Sequence, residues 1–390
     1  MVPSPERIKR EVELLVTLGT AQFSTLGYAH PDVRATFSRA WRLCEQLDED
    51  LPLEVLNGVS AATLASVDRE GATALRPRFE KLARRPDPVS RFTGHSVLGV
   101  YDFYLGRYVD AAHRLGQARE TLRSDDVKTF VEGYGYDGRL YCYVYELSSL
   151  WHLGQLERAA ALCDEMQRLA ESFGDPYVLC LALCATATHL IERGDAREAL
   201  PVVDRIAPLA MEQRLYMWSA YAEATRGTAL VLLGAAEEGL QALDFGQLQL
   251  EAMGLAASHV YFRQYVARAH MDLGRVADAR DEIEAGLGVC RATLYTSLEP
   301  NFVILDGDLA RLDGNDVAAE SLYRRARALA RAHGSRLMEL RATVALARLV
   351  AKPKPPAEVL AYLRESYESF AEGRSYADLR AARSLIAELS

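Results

Sequence analysis

Apolar and polar positions in AAALCDEMQRLA (159–170) and AESLYRRARALA (319–330) follow the 3.6-residue period of a helix buried along one stripe and charged along the other. Such stripes recur down most of the chain, separated by glycines at a fixed interval. Gly106, Gly154, Gly194, Gly234, Gly274 and Gly314 stand in YLGRYVDAA, HLGQLERAA, ERGDAREAL, LLGAAEEGL, DLGRVADAR and LDGNDVAAE, 48 residues apart once and 40 thereafter. Five residues after each comes Ala111, Ala159, Ala199, Gly239, Ala279 or Ala319. The spacing predicts a helix, a turn that uses the glycine's freedom at positive φ, and a second helix whose small residue allows close approach. One hairpin cannot bury its own stripe, so the units must stack.

The ends repeat the pattern less regularly. ELLVTLGTAQFSTLGYAHPDVRATFSRAWRLCEQL predicts a pair turning near Gly27 to Pro31, and PLEVLNGVSAATLASVDREGATALRPRFEKLA a pair turning near Gly71. After Gly314 the period lands on AKPKPPAEV, where prolines replace the glycine turn; AEVLAYLRESYESF and SYADLRAARSLIAEL then read as two closing helices. The expectation is one array over 1–390, with degenerate hairpins in 1–90, regular repeats in 91–334, and a degenerate hairpin with a capping helix in 335–390.

The repeat resembles the tetratricopeptide repeat: Leu98 and Gly99 lie within the first helix, the turn glycine and small residue follow, and Tyr108 and Ala118 match in the best copy. A period of 40 departs from the usual 34. The resemblance implies an all-α fold, a right-handed superhelical solenoid of antiparallel helix pairs with about nine hairpins.

Composition narrows function. Hydrophobic residues make up 49% and charged residues 25%, and the net charge of −9 argues against a nucleic-acid partner. No apolar run is long enough to cross a bilayer, and MVPSPERIKREVELL has no signal-peptide core, so a cytoplasmic protein without a membrane partner is expected. Six cysteines are scattered; only Cys180 and Cys184 share a helix face, and no metal or cofactor is expected.

GYGYDG (133–138) fits G-x-G-x-x-G and introduces RLYCYVYELSSLWHLGQ. A dinucleotide fingerprint needs a strand before it and a helix after it. Here the eight extra residues of the 48-residue interval fall between two repeats, so the glycines belong to an inserted loop. The repeat phase makes the tyrosine-rich segment a first helix, despite its strand-like alternation. In tetratricopeptide arrays the first helix of each pair lines the concave face. That register places Tyr141, Tyr145, Ser148 and His152 on one stripe with Trp151 beside it. Later units contribute Cys184, Thr188 and Glu192, then Tyr221, Thr225 and Thr228, then Tyr261, Gln264, Tyr265, Arg268 and Asp272, and finally Asn301, Asp308 and Arg311. The alternative for the tyrosines is packing between helices. Tyr134, Tyr136 and Asp137 mark the inserted loop as a further contact surface.

No Walker A, H-E-x-x-H or G-x-S-x-G motif occurs, the eight histidines are dispersed, and GHSVLG has the wrong spacing for a nucleophile elbow. An enzyme is not expected.

LLVTLGTAQFSTLGYAHPDVRATFSRAWRLCEQL, YGYDGRLYCYVYELSSLWHLGQLERA, GRVADARDEIEAGLGVC, ESLYRRARALARAHGSRLMELRATVALARLV and FAEGRSYADLRAARSLIAEL together resemble the C-terminal tetratricopeptide region of bacterial signalling ATPases. That family includes class III adenylate or guanylate cyclases with a fused STAND-type ATPase. Its QDP-type loop is represented by GYDG, which keeps Asp137. The resemblance implies a sensor array that regulates an ATPase, cyclase or other effector, fused or acting in trans. Neither catalytic module is present in the sequence, so no activity is carried over. The expected function is a non-catalytic interaction or sensor module that binds a protein or peptide in the concave groove. The alternative is a small-molecule receptor whose 133–138 loop closes over a polar-aromatic pocket.

Overall fold

The computed structural model describes residues 4–26, 28, 30–47, 51–122, 138–351 and 356–389, and its regular structure there is entirely helical. The irregular N-terminal pairs are α1 (Pro5–Leu26) with α2 (Pro31–Glu45) and α3 (Leu53–Ala65) with α4 (Arg69–Ala83). The regular pairs are α5 (Pro88–Tyr104) with α6 (Tyr108–Thr121), α7 (Arg139–His152) with α8 (Leu156–Phe173), and α9 (Pro176–Glu192) with α10 (Ala196–Glu212). They continue with α11 (Tyr216–Leu232) and α12 (Ala236–Ala252), α13 (Ala256–Asp272) and α14 (Val276–Ala292), and α15 (Glu299–Leu312) and α16 (Asp316–Ala332). Last come α17 (Arg336–Leu349) with α18 (Ala357–Glu368), and α19 (Ala377–Leu389). The chain is a right-handed superhelical solenoid of antiparallel pairs, as the resemblance implied. The tyrosine-rich segment is helical, its alternation overridden by the repeat phase.

Each regular turn works as the spacing required. Gly106 adopts φ +72°, its N–H donates to Phe103 O (2.9 Å), and Arg107 N–H donates to Asp102 O (2.8 Å), closing off α5. The small residues Ala111, Ala159, Ala199, Ala279 and Ala319 are fully buried between helices. Gly239 replaces alanine where α11 and α12 come closest: a Cβ there would sit 2.8 Å from Gly227 O. A second series of turns, between pairs, also keeps the period, with positive φ at Gly174, Arg214, Gly254 and Gly334. In the second pair the turn differs from expectation. It lies at Ser66–Asp68, with Val67 at φ +49°, because Asp68 caps α4 by accepting Gly71 N–H (3.0 Å) and so draws Gly71 into the helix.

The superhelix meets itself. Leu294 N–H donates to Val67 O (2.9 Å), Arg69 Nε to Thr293 O (2.8 Å), and Glu157 N–H to Glu372 Oε1 (2.9 Å). His152 Nδ1 lies 2.9 Å from Ser335 Oγ, and Arg341 pairs with Glu192 at 3.2 Å. These ties join residues 149 to 227 positions apart, about four to six repeats. The early turn glycines therefore serve twice. A Cβ on Gly106 would strike His333, one on Gly154 would strike Phe370, and one on Gly194 would strike Ala377, whereas Gly234, Gly274 and Gly314 face open space.

Candidate functional site

Because the later repeats curve back onto the earlier ones, the concave face is not an open trough. It holds a central, partly open cavity of about 180 Å³. The first helices of successive pairs build its walls: Phe103 and Tyr104 from α5, then Tyr141, Tyr145, Ser148, Trp151 and His152 from α7, and Cys184, Thr188, His189 and Glu192 from α9. Met217, Trp218 and Tyr221 of α11 and Ser258 and Tyr261 of α13 follow. Tyr28 and Tyr108 complete the early side, and Tyr295, Ser297, Leu298 and Asn301 close the late side. Most tyrosine hydroxyls are tied up across helices: Tyr104 with Tyr145 (3.1 Å), Tyr141 with Tyr177 (2.9 Å), and Tyr261 with Glu192 (3.3 Å). Ring surfaces therefore dominate what a ligand would meet.

Five polar atoms in this lining have no hydrogen-bond partner among the described residues: Trp151 Nε1, Trp218 Nε1, His189 Nε2, Ser297 Oγ and Asn301 Oδ1. Trp151, Trp218, His189 and Ser297 are each more than nine-tenths buried. Asn301 is held in place by donating Nδ2–H to Gln264 Oε1 (2.9 Å), which leaves Oδ1 as a fixed acceptor. An unsatisfied buried polar group costs about 1–3 kcal/mol, and native proteins keep few of them. Five such atoms border this one cavity.

The cavity is electrically quiet. Burial, with Arg341 and His333 nearby, lowers the His152 pKa to about 3; burial and Arg193 do the same for His189. The geometry agrees for His152, which stacks on Tyr108 at 4.2 Å. Ser335 Oγ, which also accepts Met338 N–H (3.2 Å), shares a hydrogen bond with His152 Nδ1. Glu192, the one carboxylate in the lining, is neutralised by Arg341. A ligand there meets no net charge.

Of the residues singled out in the sequence, Tyr141, Tyr145, Ser148, Trp151, His152, Tyr221, Tyr261 and Asn301 converge on the cavity. Tyr265 sits behind it, its hydroxyl donating to Glu192 (3.2 Å). Gln264 is off the lining, donating to Tyr261 O (2.9 Å) and accepting from Asn301 (2.9 Å). Thr228 is fully buried and bonds back to Ala224 O (3.0 Å), so it faces helix packing. Arg268 is exposed and paired with Asp272 (3.0 Å). Asp308 and Arg311 line a separate cavity of about 320 Å³ toward the C-terminus, where Asp308 accepts from Tyr323 (2.6 Å). Tyr134, Tyr136 and Asp137 lie outside the described residues. Trp218, which stands one helical turn before Tyr221 on a stripe visible in the sequence, and Ser297, which no periodicity marks, also line the cavity. Among the described residues no three His, Cys, Asp or Glu side chains could hold a metal, and no helix is long and apolar enough to cross a membrane.

No protein-family model matches the chain, and no curated protein matches it. Solved structures do. A Rap protein complexed with Competence and Sporulation Factor aligns with a TM-score of 0.57 at 11% identity, covering 97% of each chain. NprR in complex with its cognate peptide NprX aligns with a TM-score of 0.52 at 13% identity, covering 97% of this chain and 98% of that one. At such identities the similarity establishes the tetratricopeptide-type helical-repeat fold.

Proposed function

We propose that the chain is a non-catalytic regulatory receptor that binds a short peptide in the central cavity and passes its occupancy to an effector. The observation that carries this reading is the set of unpartnered polar atoms. Two indole N–H groups call for acceptors and Asn301 Oδ1 for a donor, while Ser297 Oγ offers both; a peptide backbone presents both, with an apolar side chain for the aromatic walls. A dry cavity of about 150 Å³ takes a benzene-sized group, so the space here fits one large side chain with its flanking amides. The peptide named in the NprR complex, in a structure of the same fold, supports the choice of ligand class. The residues proposed to contact it are Tyr141, Tyr145, Ser148, Trp151, His152, Trp218, Tyr221, Tyr261 and Asn301. The ties across the superhelix supply a way to transmit binding, since a ligand touching α7, α11 and α15 couples both halves. The effector, fused or in trans, would be an ATPase, cyclase or other regulator of the kind the sequence resemblance implies. We propose also that 1–390 forms one array acting as a unit.

The small volume, about 180 Å³, favours a second reading, an uncharged small molecule that carries an amide-like pattern of donors and acceptors. Affinity selection separates the two. The protein is incubated with a library of random pentapeptides and its retained ligands are identified by mass spectrometry. A related set enriched by the wild type and lost with Asn301→Ala is expected. No enrichment over an unrelated helical-repeat protein would sink the peptide reading.

A further inference from the structure

A second cavity, of about 120 Å³, adjoins the central one on the N-terminal side. Tyr28, Tyr104, Tyr141 and Tyr145 line both spaces and form the wall between them. Phe37 and Phe92 add two more rings. Into this aromatic chamber α3 contributes Glu54, the one carboxylate of its lining. Glu54 is half-buried and makes no hydrogen bond or ion pair with any described residue. The fully buried carboxylates Asp102 and Glu146, by contrast, each hold two or more arginines.

An unpaired carboxylate beside aromatic rings attracts a cation, because the ring faces are themselves electron-rich. The wall tyrosines are suited to this. Tyr104 and Tyr145 bond to each other, and Tyr141 bonds to Tyr177, so their hydroxyls are occupied by protein and a cation would meet ring carbon. We infer that this chamber binds the cationic head of the ligand, an alkylammonium or guanidinium group, with Glu54 as counter-ion. The inference rests on the proposed receptor function only for what is attached to that head. The uncharged remainder would pass the tyrosine wall into the central cavity. Two sources offer such a head, a basic side chain or a free peptide amino terminus.

The test uses small probes that need no pentapeptide. Saturation-transfer NMR would measure binding of n-butylammonium, n-butylguanidinium and neutral 1-pentanol to the full chain. At least one cation is expected to bind saturably and at least tenfold more tightly than 1-pentanol. Glu54→Gln should reduce that cation to the level of 1-pentanol with an unchanged melting temperature, and Glu54→Asp should retain part of the preference. Nα-acetyl-lysine N-methylamide against norleucine N-methylamide then separates side-chain from terminal ammonium. Equal binding of 1-pentanol, no saturable binding of either cation, or full cation binding by Glu54→Gln would overturn the inference. Each of these would leave the central-cavity reading to its own selection experiment.

Discussion

Lowering the pH from 7 to about 4.5 is expected to remove about 5 kcal/mol of folding stability through His152 and His189 alone. Both have folded pKa values of about 3, depressed chiefly by burial. The unfolded chain titrates near 6.5. Between those values the unfolded state holds more protons than the folded state, so stability falls as pH falls through the unfolded value and goes on falling toward 3. At pH 4.5 each histidine lies about two units below its unfolded pKa, worth roughly 2.7 kcal/mol apiece at 1.36 kcal/mol per unit. Urea denaturation across pH 4.5 to 7.5 measures this directly. His152→Gln with His189→Gln should flatten most of the slope; a slope unchanged in that variant would mean that other groups carry the acid sensitivity.

Removing Arg119 is expected to destabilise the protein by about 3–5 kcal/mol, whereas neutralising its partner should do far less harm. Glu146, on α7, is fully buried and bonded to Arg119 of α6 (3.1 Å) and Arg158 of α8 (3.2 Å). Burial raises its pKa in spite of both arginines, so the site already leans toward an uncharged side chain. Arg119→Met strands a buried carboxylate, whose remaining partner, Arg158, is more than half exposed. Glu146→Gln keeps an acceptor for Arg119 and relieves the desolvation, with an expected loss of about 1 kcal/mol. Paired urea midpoints decide the matter, and equal losses for the two variants would contradict this account of the network. The network also fixes α7, which carries the tyrosines of the cavity wall, across the inserted segment.

The fold was legible because its defining contacts are local. A glycine every 40 residues and a small residue five positions later specify a hairpin without reference to anything distant. The tyrosine stripe of α7 was legible for the same reason, since repeat phase fixes which side of a first helix faces inward. Closure was not. It depends on small rotations between neighbouring pairs that add up over about 180 residues until Ser335 reaches His152, and no short motif encodes that sum. The concave groove therefore became a cavity, and Ser297 and Tyr295 entered it from a turn that breaks the period. The second glycine series was present in the sequence but interrupted by Arg214, which holds φ +57° where the series has glycine, and by Leu294. Thr228 misled because helical spacing alone does not distinguish a cavity-facing side chain from one facing the next helix.

The most direct test of the central cavity uses its own reporters. The chain has three tryptophans: Trp151 and Trp218 line the cavity with unpartnered indole N–H groups, and Trp41 lies outside it, under Arg78. In protein labelled with ¹⁵N-tryptophan, a pool of random pentapeptides should move the Trp151 and Trp218 indole resonances downfield in a saturable way and leave Trp41 in place. Those two resonances unmoved at saturating pool, or a shift confined to Trp41, would contradict a peptide site at the centre of the superhelix.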